Sequence, residues 1–219
     1  MSENIVEKLR SLLTEKFKHE HFSSIGLLTP APTEKWFIIV RLPPFYDIFL
    51  TSYKDGRVEV DTGPVRTGDG IREFHLYKKY RRKYEEAKTE EERREIYEKK
   101  DKEEDRIIED FRQGMFEKYL RMKGSIAYYA KEHMWANEVA RRVSDKYGFE
   151  VRFNIDYESG FVTTFNSAGM DEEQMVREVM RRVDAIAEAR EMFISEDMWD
   201  EFLISKGIEP VKSRRRRRI

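Results

Sequence analysis

The chain has no cysteine. That absence excludes disulfides, a thiol nucleophile and thiolate metal sites. Long apolar runs are also missing. Runs such as Trp36 to Val40 are far too short to span a bilayer. Met1 to Arg10 reads as an amphipathic helix rather than a charged segment followed by an apolar stretch. No signal peptide is therefore expected, and the expected location is cytoplasmic. Glutamine occurs only at Gln113 and Gln174, while charged residues make up 39 % of the chain. Scarce glutamine, absent cysteine and abundant Glu, Lys and Arg match proteins whose ion-pair networks gain value with temperature, so a thermophilic source is expected.

What is present is charge, unevenly placed. Lys and Arg number 42 against 43 Asp and Glu, a net of −1. Lys212, Arg214, Arg215, Arg216, Arg217 and Arg218 put six of those positive charges in the last eight residues. The rest of the chain holds 36 basic against 43 acidic side chains. An acidic body thus carries a basic tail, and segregation of this kind sets partners rather than fold.

The apolar pattern gives the elements. Ile5, Leu9, Leu12, Leu13 and Phe17 form one stripe of a helix over residues 4–20, with Asn4 and Glu7 as a capping pair. Strands are predicted at Ile25–Leu28, Trp36–Leu42, Tyr46–Tyr53 and Arg57–Asp61. Trp36–Leu42 has the composition of a strand buried on both faces. Pro43-Pro44 ends it, because proline cannot continue a ladder. Asp55-Gly56 marks a hairpin between the next two.

From Lys78 to Arg112 the character changes: 13 basic and 13 acidic residues occupy 35 positions. Pairs such as Arg81–Glu85 and Glu95–Lys99 fall at helical spacing. Thr89-Glu90-Glu91-Glu92 is a capping box in mid-run, so one helix ends near Lys88 and another starts at Glu90. A helical hairpin follows, 71–88 up and 90–123 back, with a single kinked rod as the alternative. Its apolar stripe is rich at the base (Phe74, Leu76, Tyr80, Tyr84, Ile107, Ile108, Phe111, Met115) and thin at the tip. That taper describes an arm projecting from the core. Beyond Gly124-Ser125, a helix stripe runs from Ile126 to Tyr147 and Gly148 closes it. Phe149 to Tyr157 alternates as a half-buried strand, and Phe161–Phe165 returns. Asp171 with Gln174 caps another helix, and Ser195 caps the last.

The expected fold class is α+β: an antiparallel sheet, flanking helices and a long charged helical-hairpin arm inserted mid-chain. The expected organisation is 1–70 as helix and meander, 71–123 as arm, 124–209 as the rest of the core and 210–219 as a disordered basic tail.

No catalytic or cofactor motif passes inspection. Gly63 to Gly70 lies between a strand and a helix, as a phosphate cradle would. Yet Asp69 and Gly70 stand where such a loop needs Lys and Ser/Thr, and a carboxylate there repels phosphate. Asp47, Glu59 and Asp61 lie on neighbouring strands and form a candidate metal-holding set for phosphodiester cleavage. The lysine that nucleases of the restriction-endonuclease type place two residues after the second carboxylate is replaced by Asp61. His19 and His21 point to different faces if the helix continues through them. His133 sits on an apolar stripe as a core residue would, and His75 has no obvious partner.

The arginine run is the one segregated signal. Guanidinium forks match phosphate with paired hydrogen bonds. The leading reading is a non-enzymatic protein that binds nucleic-acid backbone through Lys212 and Arg214–Arg218. The arm would then mediate self- or partner assembly, with Tyr77, Tyr80, Tyr84 and Tyr97 favouring contact. No cofactor is expected, and no amphipathic anchor accompanies the tail to suggest a membrane partner. Two rivals stand beside this reading. One is a metal-dependent nuclease using Asp47, Glu59 and Asp61. The other is a structural homo-oligomer without a nucleic-acid role.

Overall fold

Alternation along Glu34–Arg41 places Trp36, Ile38 and Val40 on one side of a strand, and all three are buried. This strand belongs to a six-stranded, wholly antiparallel sheet in a computed structural model that describes residues 2–20, 22–42, 47–63, 79–155 and 160–210. In chain order the elements are α1 (Ser2–Lys16), β1 (Ser24–Leu28), β2 (Glu34–Arg41), β3 (Ile48–Tyr53), β4 (Arg57–Asp61), α2 (79–86) and α3 (Glu90–Arg112). They continue with α4 (Glu117–Leu120), α5 (Ser125–Tyr147), β5 (Arg152–Asn154), β6 (Gly160–Asn166), α6 (Glu172–Ile194) and α7 (Glu196–Ser205). Sheet order is β1-β2-β3-β4-β6-β5. The class is α+β, as the pattern predicts.

Helices cover one face. α6 lies over β3, β4 and β6, α1 over β1 and β2, and α5 over β5. Leu9 and Leu13 of α1, Val139 and Val143 of α5 and Val179, Val183 and Ile186 of α6 meet Ile38, Leu50, Val58 and Val60 in one core. Such side chains stabilise the fold by about 1.5–3 kcal/mol each when fully buried. α7 closes the end, where the Trp135 indole donates to the Phe193 carbonyl at 3.1 Å. The other sheet face carries two cross-strand rows: Phe37, Thr51, Glu59, Thr164, and Ile39, Phe49, Asp61, Val162.

The β4–β6 seam joins the two halves of the chain. Thr62 donates its N–H to the Phe161 carbonyl and accepts from the Phe161 N–H through its hydroxyl, both at 2.9 Å. Approach there is so close that a Cβ at Gly160 would lie 2.4 Å from the Gly63 carbonyl oxygen.

Three local expectations shift. The first helix starts at Ser2, so Asn4 lies inside its first turn rather than capping it. First-turn N–H groups need no intrahelical partner, so such a start can slide along the chain. The return helix stops at Arg112, because Gly114 adopts a left-handed φ of 73° and the Met115 N–H reaches back to the Asp110 carbonyl. The alternating run from Phe149 yields only the three strand residues of β5. Val151 instead gives its N–H to the Ser144 hydroxyl at 2.8 Å. The Phe149 ring covers the buried Arg182 guanidinium at 4.0 Å. Arg182 in turn donates to the Thr163 hydroxyl and to Glu178. The end of the expected strand, residues 156–159, lies outside the described residues.

Candidate interaction surface

α2 and α3 pair as a helical hairpin. Ala87 and Lys88 link them, and Thr89 caps the second with the full reciprocal box. Its hydroxyl accepts from the Glu92 N–H at 3.1 Å, while Glu92 accepts from the Thr89 and Lys88 N–H groups. The two helices are tied by Glu103 of α3, which accepts from Lys79 Nζ at 2.5 Å and the Tyr80 hydroxyl at 2.6 Å. Farther out, the Tyr84 and Tyr97 rings meet edge to face at 6.3 Å.

The base is anchored by aromatic stacking. Phe111 is buried and touches Phe116, Tyr119 and Tyr129, with ring centroids 5.5, 5.3 and 4.8 Å away. His133 lies parallel to it at 5.4 Å. Ile107, Tyr119, Ile126 and Ala130 complete this second apolar cluster. Tyr119 and Lys118 both donate to Asp110. Those two hydrogen bonds hold the Asp110 carboxyl below the usual range.

Along the arm, opposite charges pair on its own surface: Arg81–Glu85, Arg82–Glu86, Arg94–Glu98 and Lys99–Glu95. Each exposed pair contributes only a few tenths of a kcal/mol. Their larger effect is to leave the surface without a one-signed field. Between the helices lies a groove of about 440 Å³ lined by Tyr80, Arg81, Tyr84, Glu85, Ile96, Tyr97 and Lys100. Lys100 sits over the Tyr97 ring at 4.9 Å. Tyrosine and arginine are enriched at contact surfaces, whereas lysine is depleted there. Tyr77, the fourth expected tyrosine, lies outside the described residues.

The other expected sites fare variously. Lys212 and Arg214–Arg218 lie outside the described residues, as do His21, His75 and Pro64–Gly70 of the glycine-rich loop. Asp47, Glu59 and Asp61 are each engaged within the fold. Asp47 accepts from the Leu42 N–H at 3.2 Å, Glu59 pairs with Arg57 at 3.1 Å, and Asp61 accepts from the Gly63 N–H at 2.6 Å. Among the described residues no three His, Asp or Glu side chains are grouped to hold a metal ion. His19 is exposed beyond the end of α1, whereas His133 is buried among aromatic rings.

Two features leave no mark in the sequence. Glu132 on α5 is largely buried, which pushes its carboxyl up to about 7, while a hydrogen bond from the Tyr128 hydroxyl acts the other way. Phe22, just before β1, is 90 % exposed with a left-handed φ of 61°. Neither belongs to a motif, and both depend on what surrounds them. Among the described residues no helix is long and apolar enough to cross a membrane. Comparison of the chain with protein-family models, with curated proteins and with solved structures finds no match to any of them.

Proposed function

We propose that the chain is a non-enzymatic nucleic-acid-associated protein whose arginine run holds the phosphate backbone. The observation that carries this reading is the segregation of six positive charges into the last eight residues of a chain otherwise richer in acidic side chains. Cations elsewhere are extensively paired with carboxylates, as in Arg141 with Glu138 and Asp145 and Lys146 with Glu188. This internal pairing favours the tail as the polyanion contact. The α2–α3 groove serves assembly, presenting tyrosines and balanced charge to a partner or a second copy. DNA and RNA share the phosphate chemistry involved.

Fluorescence anisotropy with duplex and single-stranded DNA and RNA across a salt series tests the reading. Full-length protein is compared with a chain ending at Val211. Six neutralised phosphates give a log–log salt slope of about −5, which collapses in the shortened chain. Equal weak binding by both removes the proposal. Divalent-metal-dependent cleavage abolished in Asp61→Ala would replace it with the nuclease reading.

A further inference from the structure

The sheet has two edges, and they are built differently. β5 is three residues long and carries Arg152, which pairs with Glu150. Short, charged edges of this kind resist addition of another strand. β1 is the opposite case. Among the described residues it pairs only with β2, so alternate N–H and C=O groups of Ser24–Leu28 point away from the sheet. No charged residue occurs from Phe22 to Thr33. In a chain that is 39 % charged, the other uncharged run of this length, Ser159–Met170, contains β6, which is covered on both edges by β4 and β5.

Apolar groups are exposed along the same edge. Leu27 is 48 % exposed and Leu28 38 %, and they lie on opposite faces of the sheet. Phe22 adds a 90 %-exposed ring held in a backbone region that L-residues other than Asn and Asp rarely adopt. Such strain persists only where the surroundings impose it, and it concentrates at functional positions. Strand backbone with no partner strand on its outer side among the described residues, missing charge and exposed apolar side chains on both faces coincide within seven residues, Phe22 to Leu28.

We infer that β1 is a self-association edge, where the β1 strand of a second copy of this chain adds antiparallel across a two-fold axis. The occupant follows from complementarity. A strand with an open ladder is matched by another such strand, and an edge free of charge meets no mismatch in its own image. A two-fold axis perpendicular to the sheet keeps the helices of both copies on the same side. Leu27 then packs on the helix side of the joined sheet and Leu28 on the other. Among the described residues each copy offers one such edge, so the association closes at a dimer. Pro30 and Pro32 confine the pairing to Ser24–Leu28. This interface is separate from the arm groove and from the arginine run.

Sedimentation of the full chain across a concentration series tests the inference. A mass of twice 26.4 kDa is expected, with Leu27→Lys weakening the dimer by about tenfold or more while the circular dichroism spectrum stays unchanged. Because the chain has no cysteine, Leu27→Cys supplies an independent readout. Under mild oxidation it should form a covalent dimer faster than Ile204→Cys, a control at a 63 %-exposed position on α7. A wild-type chain that stays monomeric at every concentration overturns the inference and leaves the edge to a different protein's strand. A dimer that persists in Leu27→Lys, with equal crosslinking at both cysteines, overturns it in favour of another surface such as the arm.

Discussion

Tyr80 reaches across the arm and donates its hydroxyl proton to the Glu103 carboxylate at 2.6 Å. Burial alone would raise the Glu103 carboxyl, but the bonds from Lys79 and Tyr80 outweigh it and hold the group below its ordinary range. The same bond raises the Tyr80 phenol. A carboxyl depressed in the fold stabilises above its unfolded pKa, and that stability is lost as pH falls through the folded value. Tyr80→Phe is expected to loosen the arm by about 1 kcal/mol, the usual net worth of one hydrogen bond. Amide exchange along α3 reads this directly. Faster exchange should appear at neutral pH, and the difference from wild type should shrink in acid. Identical exchange at neutral pH would show that the bond does not hold the two helices together.

Phe111 fastens the arm to the core. Truncating a buried phenylalanine costs about 3–5 kcal/mol. Phe111→Ala should therefore lower the denaturation midpoint and expose α3 amides before those of β2 and β3. A fully cooperative loss, with both regions exchanging together, would mean that arm and sheet unfold as one unit.

Glu132 sets a pH dependence of opposite sign to that of Glu103. Its carboxyl is pushed up to about 7 from an ordinary 4.5, so the folded chain binds this proton more tightly than the unfolded one. Stability from this group is complete below 4.5 and is lost as pH rises to about 7. Glu132→Gln removes the titration. The variant should match wild type in acid and exceed it at alkaline pH by about 1–3 kcal/mol. Thermal melts of both proteins across this range test it, and parallel curves would show that the carboxyl reaches water.

Local chemistry was the legible part of this fold. The reciprocal boxes at Thr89–Glu92 and Asp171–Gln174 form as their spacing predicts, and Gly148 caps α5 in the left-handed region. Asp55-Gly56 turns the β3–β4 hairpin, with Gly56 at a φ of 92°. Alternation overextended the strand at Phe149, because it cannot register that Ser144 captures the Val151 N–H or that Arg182 needs a ring beside it. The arm's helices were visible in their charge spacing, whereas the tie through Glu103 joins residues 23 and 24 positions apart and leaves no local trace. Which strand becomes an edge depends on sheet order, a tertiary property. The uncharged stretch around β1 does not mark it alone, because a run of equal length covers the interior strand β6.

The seam between β4 and β6 has a kinetic consequence. Thr62 and Phe161, which exchange hydrogen bonds there, are 99 positions apart in the chain. β1 to β4 can pair through short turns as they emerge from the ribosome, but β4 keeps a bare edge until the arm, α5 and β5 have followed. Closing so long a loop is slow relative to hairpin formation. An arm that folds early on local contacts shortens the effective distance between the halves. It thereby limits the time during which a half-built sheet offers its open side to neighbouring nascent chains.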